Sequence, residues 1–219
     1  DLAAVQRLLG YYAVPLPAAE TALARYLGGL AGLDLPAGPL GLAISQTPLR
    51  LSGDGKRVSG GATNLSWPQF AKAIVAVCES EKGARLIVLS PGGTTAKNNS
   101  AGEPRGRLVL QDAAVTAAKQ LPIAAAEVWQ LAALMRVQQM AGAGQHILDI
   151  CIQYARDRKQ FGKPIGSFQA VQQLLSELAG HVASVNAAAE SAAGAADIGR
   201  GGFAIAAAKA RDSEAAGKI

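Results

Sequence analysis

The spacing of the apolar residues changes twice along this 219-residue chain, and each change marks where one kind of packing must give way to another. Leu2, Val5, Leu8 and Leu9, then Leu23, Leu27 and Leu30, recur at three- and four-residue intervals, so residues 1–33 predict helices punctuated by Pro15 and Pro17. Pro36, Gly38, Pro39 and Gly41 break that period, and the stretch from Leu35 to Gly41 is expected to link to a different domain. Leu49, Leu51, a turn at Gly53-Asp54-Gly55 and Val58 then predict a hairpin. Aliphatic runs at 73–78, 85–89 and 107–111 predict further strands and, together, a small antiparallel β-domain.

From Ala124 the helical period returns and is expected to run to the end with one interruption. Ile147, Ile150, Cys151 and Tyr154 mark one apolar stripe; Val171, Leu174, Leu175, Leu178, Val182 and Val185 mark another. Between them, glycine at 162, proline at 164 and Ser167 as the next N-cap predict a short connection joining antiparallel helices. The expected division is 1–38, the end of a helical domain; 39–115, a middle β-domain; and 116–219, a helical bundle. The chain begins directly in a helical pattern and ends at Gly217-Lys218-Ile219 without a stop signal, so both termini are expected to be incomplete.

Composition narrows the function. The net charge is +5, but Lys and Arg are scattered without interleaved aromatics, which argues against nucleic acid and suits a phosphate-rich ligand such as a dinucleotide or coenzyme A. No secretory signal and no apolar run of about 20 residues is present, so no membrane span is expected and the cytoplasm is the default compartment. Cys78 and Cys151 lie in apolar runs and are expected to be free thiols. His146 and His181 lack partners at metal-ligand spacing and are expected on helix surfaces; Trp67 and Trp129 are expected as core or interface anchors. Gly142-Ala143-Gly144 follows no strand, which favours close helix packing over a dinucleotide loop.

One segment is far more specific. Residues 154–169 read Tyr-Ala-Arg-Asp-Arg-Lys-Gln-Phe-Gly-Lys-Pro-Ile-Gly-Ser-Phe-Gln, which resembles the FAD-binding signature YAxxRxxFGxxIxxxQ of the acyl-CoA dehydrogenases. The preceding Ala141-Gly142-Ala143 and Leu148-Asp149 are similar to the helix leading into that motif, and the likeness extends from Val14 to the last helix. The resemblance implies a mainly α fold with a β-domain: N-terminal helices, a middle β-barrel and a C-terminal four-helix bundle. Cations near a helix C-terminus complement its dipole without any ligand; Phe161, Gly162 and Gln169 at their spacing favour a cofactor site. By resemblance Arg158 binds the FAD pyrophosphate, Gln160 and Phe161 add polar and aromatic contacts, and Gln169 hydrogen-bonds towards the adenosine, all on a neighbouring subunit's FAD.

The resemblance implies an oxidoreductase that removes the α-proton and β-hydride of an acyl-CoA and passes electrons to an electron-transfer flavoprotein. The family's base is expected beyond Ile219 or in a partner subunit, because the alternative position before the motif is Ala132, and Glu127 is read as a solvated helix residue. The Thr-Glu-Pro…Gly-Ser-Asp stretch of the family is replaced by Ile44-Ser45-Gln46-Thr47-Pro48-Leu49, and of the segment beside the flavin only Ser66 keeps a hydroxyl. The resemblance implies a homo- or hetero-oligomer, dimer or tetramer, sharing FAD across its interface, and three readings follow: a dehydrogenase subunit acting on lipid or sterol chains, a non-catalytic partner that completes the FAD site of a heteromeric enzyme, or a flavin oxidase or monooxygenase on the same fold. The arginine-phenylalanine-glycine motif argues against the last.

Overall fold

The computed structural model describes residues 2–44, 49–80 and 83–219 and holds five α-helices and ten short or long strands among them. Two compact units emerge, one made of Asp1–Val14 with Ala133–Ile219, the other of Pro15–Ala132. The expected division at 38 and 115 follows element type, whereas the units follow contacts.

The second unit is a layered β-structure. Helix α2 (Ala18–Ala31) carries Glu20 in its first turn and stops at Gly32, which adopts φ 63° so that the Leu33 amide bonds back to Gly28 at 2.9 Å. Strands β1 (Leu40–Ala43), β4 (Ala73–Ser80), β5 (Gly83–Leu89) and β8 (Ala117–Gln120) form one sheet in the order β1-β4-β5-β8. Strands β2 (Arg50–Leu51), β3 (Arg57–Ser66), β6 (Thr94–Asn98) and β7 (Pro104–Ala114) form another, in the order β2-β3-β7-β6. The expected hairpin is present, with Leu51 opposite Val58. One expectation is corrected: β1 pairs with β4 in parallel, so the domain is not wholly antiparallel. Among the described residues no ladder joins the two sheets into a closed barrel.

The first sheet is buried on both faces because its side chains alternate between two cores. Val75, Val77, Leu86 and Val88 point to Leu23 and Leu27 of α2 and to Val128, while Ile74, Ala76, Cys78, Ile87 and Leu89 meet Val58, Leu65, Leu108 and Leu110 of the second sheet. Continuous aliphatic runs, rather than apolar–polar alternation, are the sequence sign of this double burial.

In the first unit, α1 (Leu2–Tyr11), α4 (Gln169–Asp197) and α5 (Gly201–Ala216) gather around α3 (Ala125–Asp157), whose first turns belong to the other unit. α1 crosses α3 with backbones touching: a Cβ on Gly142 would lie 1.9 Å from the Arg7 carbonyl oxygen, and one on Gly10 2.0 Å from that of Gln139. The close packing expected at Gly142 is therefore found. Arg7 then reaches Asn186 Oδ1 at 2.8 Å and Glu190 at 3.1 Å. α3 and α4 run antiparallel, as expected: Gln138 donates to the Ala189 carbonyl at 2.8 Å, and Asn186 to Gln145 at 3.1 Å. The helical period is interrupted twice rather than once, since Gly199 at φ 70° ends α4 before α5 begins. His146 is not a surface residue: its ring lies edge-on to Tyr11 at 4.6 Å with Nδ1 buried.

Candidate functional site

Residues 158–164 form an exposed hairpin whose shape is set by local backbone chemistry. Arg158 is the first residue past α3, its amide still bonded to the Tyr154 carbonyl at 2.9 Å. Two-residue strands β9 (Lys159–Gln160) and β10 (Lys163–Pro164) then pair antiparallel, with Phe161 and Gly162 at the tip. Both tip residues have positive φ, 52° and 77°, the pattern of a tight hairpin turn. The Ile165 amide closes the base on the Arg158 carbonyl at 2.8 Å. Arg158 and Lys159 therefore both lie past the last turn of α3, while Gln169 opens α4. Ser167 does not cap α4; its hydroxyl donates to the Pro164 carbonyl at 2.7 Å, and Phe168 occupies the cap.

Phe161 is 92% exposed, although a left-handed backbone costs a non-glycine residue about 1–2 kcal/mol. Its ring has one aromatic neighbour, Phe168 at 6.1 Å, over which Lys163 Nζ sits at 4.5 Å. Arg158, Gln160 and Gln169 are exposed too, and none of their side chains has a hydrogen bond or ion pair among the described residues. The chain thus brings a guanidinium, an aromatic ring and two amides together on one short segment with their binding groups unspent. A guanidinium and two amides placed this way could hold a pyrophosphate and its flanking nucleoside.

Ser66 lies in the other unit and is differently placed. A bulge between Ala62 and Leu65, with Asn64 at φ 62°, breaks the alternation of β3 so that Leu65 and Ser66 are both buried. Ser66 pairs in register with Arg105, accepts a hydrogen bond from Arg105 Nη1, and donates to Glu20 Oε1 at 2.5 Å. Arg105 also bonds Glu103 at 2.7 Å. The single O–H of Ser66 is thereby committed to Glu20, leaving only acceptor capacity. Residues 45–48 of the altered segment lie outside the described residues. Trp67 leans on Phe70 at 5.7 Å, and Trp129 is 42% exposed.

Neither position considered upstream of the motif is set up as a base. Glu127 accepts the Ala124 amide at 3.1 Å, closing the N-terminus of α3, and Ala132 packs against the apolar core. Two features escaped the sequence reading. The Glu20–Ser66–Arg105 network joins residues too far apart in the chain to show any pattern. Asp212, by contrast, continues the buried stripe Ile205, Ala208, Asp212, Ala215 of α5, and that spacing alone marks it. Both its carboxylate oxygens are buried without a partner, and burial pushes its acid up to about 6 against the opposing pull of Lys209 and Arg211.

Residues 122–219 match the family model for the acyl-CoA dehydrogenase C-terminal domain. Across those residues the chain belongs to the acyl-CoA dehydrogenase family. It is 32% identical over 216 residues to glutaryl-CoA dehydrogenase of Desulfococcus multivorans, covering 89% of this chain and 55% of that one. It is 33% identical over 132 residues to the acyl-CoA dehydrogenase FadE27 of Mycobacterium tuberculosis, covering 58% of this chain and 35% of that protein. The chain therefore spans between about a third and about half of these relatives. Among solved structures it superposes on the ChsE4-ChsE5 complex from Mycobacterium tuberculosis with a TM-score of 0.75 and 25% identity, over 98% of this chain and 67% of that one. Membership agrees with the element order: acyl-CoA dehydrogenases share helices, a β-domain and a helical bundle, here without a closed barrel among the described residues. No helix among the described residues is long and apolar enough to cross a membrane.

Proposed function

We propose that this chain is the FAD-site-forming part of an acyl-CoA dehydrogenase subunit that oxidises an acyl-CoA thioester between its α and β carbons. The observation that supports this most directly is the projection at 158–164, where Arg158, Gln160 and Phe161 face outward with no partner of their own. A segment that spends none of its binding groups on its own fold is suited to a cofactor held by a neighbouring subunit, in a homo- or heteromeric dimer or tetramer. Arg158 would fix the pyrophosphate by a charged fork, Phe161 would cover an apolar ring surface, and Gln160 and Gln169 would orient the nucleotide. FAD, when bound, supplies the hydride acceptor, and an electron-transfer flavoprotein would be the onward acceptor. The α-proton needs a carboxylate, and neither position weighed before the motif supplies one: Glu127 is engaged in its helix cap and Ala132 has no acid. The unbridged Cys78 and Cys151 accord with the cytoplasm.

A second reading is favoured by that same missing base. The chain would complete the FAD site of a heteromeric enzyme whose other subunit carries the base, as the resemblance to a two-component ChsE4-ChsE5 complex suggests. Replacing Arg158 by Ala should weaken FAD retention by about 1–3 kcal/mol, or roughly 5- to 150-fold, read by flavin absorbance after gel filtration. Unchanged flavin content would overturn the assignment. Yellow colour in the full-length protein alone, bleached by an acyl-CoA, supports the first reading; colour only after co-expression with a homologous partner supports the second.

A further inference from the structure

The two-residue ladder at 159–164 sorts its charged side chains onto two faces. Gln160 stands opposite Lys163, and Lys159 opposite Pro164. Paired residues of an antiparallel ladder project to one face and successive residues to opposite faces, so Gln160 and Lys163 share one face while Lys159 and Pro164 share the other. Arg158, two positions before Gln160, falls on the first face by the same alternation, its carbonyl accepting the Ile165 amide at 2.8 Å. A guanidinium and an ammonium therefore flank an amide on a single face. Lys163 occupies an unspecified position of the signature, so the motif does not mark it.

Lys163 has no carboxylate to answer. Its ammonium rests over the Phe168 ring, 4.5 Å from the centroid, and it has no hydrogen bond or ion pair among the described residues. Asp157, the acidic residue nearest in sequence, lies in α3 and accepts from Gln153 at 2.8 Å. Phe168 also receives the Phe161 ring edge-on at 6.1 Å, which ties its position to the tip of the hairpin. At an exposed site an aromatic face favours a cation by about two- to fivefold. That is enough to bias the lysine stem towards this face, and little enough to be exchanged for a phosphate. The pyrophosphate of a dinucleotide carries two negative charges, and the fork of Arg158 answers one of them.

We infer that Lys163 is a second cation for the pyrophosphate, positioned by Phe168, and that Lys159 on the opposite face takes no part. The inference rests on the FAD reading of this hairpin.

The test uses the full-length flavoprotein. FAD release on dilution of the holoprotein, followed by flavin fluorescence, gives a dissociation constant for each variant. K163Q should raise it about tenfold, while K159Q, which removes the same charge from the other face, should change it by less than about twofold. K163R should keep most of the native affinity, and added salt should narrow the gap between native protein and K163Q, which a loss of packing would not do. Phe168→Leu should raise the constant about two- to fivefold alone and add nothing to K163Q, because its effect runs through the lysine. Equal losses in K159Q and K163Q show a diffuse field rather than a contact, and an unchanged constant in K163Q shows neither; each overturns the inference. A Phe168→Leu effect that adds in full to K163Q overturns the positioning role. Arg158→Ala in the same assay separates the two claims: if it weakens FAD and K163Q does not, only the role of Lys163 falls, and if neither does, the FAD reading falls as well.

Discussion

Adding one methyl group at Gly142 should reverse the usual benefit of replacing a helical glycine. In an open helix interior, Gly to Ala gains up to about 1 kcal/mol from propensity and lost unfolded-state freedom. At Gly142 the new Cβ would stand 1.9 Å from the Arg7 carbonyl oxygen and 2.8 Å from the Tyr11 amide nitrogen, both backbone atoms that no rotamer change can move. To restore an ordinary contact of 3.4 Å, α1 must retreat by about 1.5 Å. Overpacking of this kind costs about 1–3 kcal/mol. The retreat also stretches Gln139–Gln6 and Arg7–Asn186, both 2.8 Å, and each is worth about 1 kcal/mol. We expect a net loss of about 2–4 kcal/mol for Gly142→Ala, against a gain of about 0.5–1 kcal/mol for Gly180→Ala, which has nothing within 4 Å in α4. Urea denaturation gives the two values, and hydrogen exchange across 8–11 shows whether α1 has loosened. A Gly142→Ala protein as stable as Gly180→Ala, with α1 still protected, would refute the backbone-contact argument.

Four further outcomes follow from particular contacts. Ser66→Ala should cost about 1–3 kcal/mol even in flavin-free protein, because it removes the hydroxyl between Glu20 and Arg105; a variant that loses only flavin would show a cofactor role instead. Leu27→Ala, at a fully buried position between α2 and the first sheet, should cost about 2–5 kcal/mol in thermal or chemical unfolding. Burial pushes the Cys78 thiol up to about 11, so native protein at pH 8 should leave Cys78 unalkylated by iodoacetamide while unfolded protein is labelled, as read by peptide mass. The folded chain should lose stability as pH rises through about 4 to 6. The folded Asp212 acid titrates at about 6 and the unfolded one near 3.8, so the folded state holds its proton more tightly and the stabilising contribution, about 3 kcal/mol at most, is present below pH 4 and gone above 6. D212N should flatten that slope.

The amino-acid order by itself determined the kinds of element and the chemistry of the projection. Helical spacing at 2–9, 23–30 and beyond 124, aliphatic runs at 73–78 and 85–89, and the turn glycines placed helices and strands where they lie, because these depend on local period and backbone conformation. Arg158, Phe161, Gly162 and Gln169 were legible as a unit because they sit within one short segment. What tertiary structure alone decided is how distant residues meet. The parallel pairing of β1 with β4, and the division into two sheets, depend on which edges find each other, and no local signal encodes that. Lys159 pairs with Pro164 in a two-residue ladder, and Ser167 turns its hydroxyl to the Pro164 carbonyl at 2.7 Å instead of capping α4. Ser66 looked available from its residue type, yet its donor is taken by a glutamate 46 positions away. Ile147, Ile150 and Tyr154 looked like core by their spacing and are exposed. Periodicity states that one face of a helix seeks an apolar partner; only the packed chain shows whether its own residues provide it.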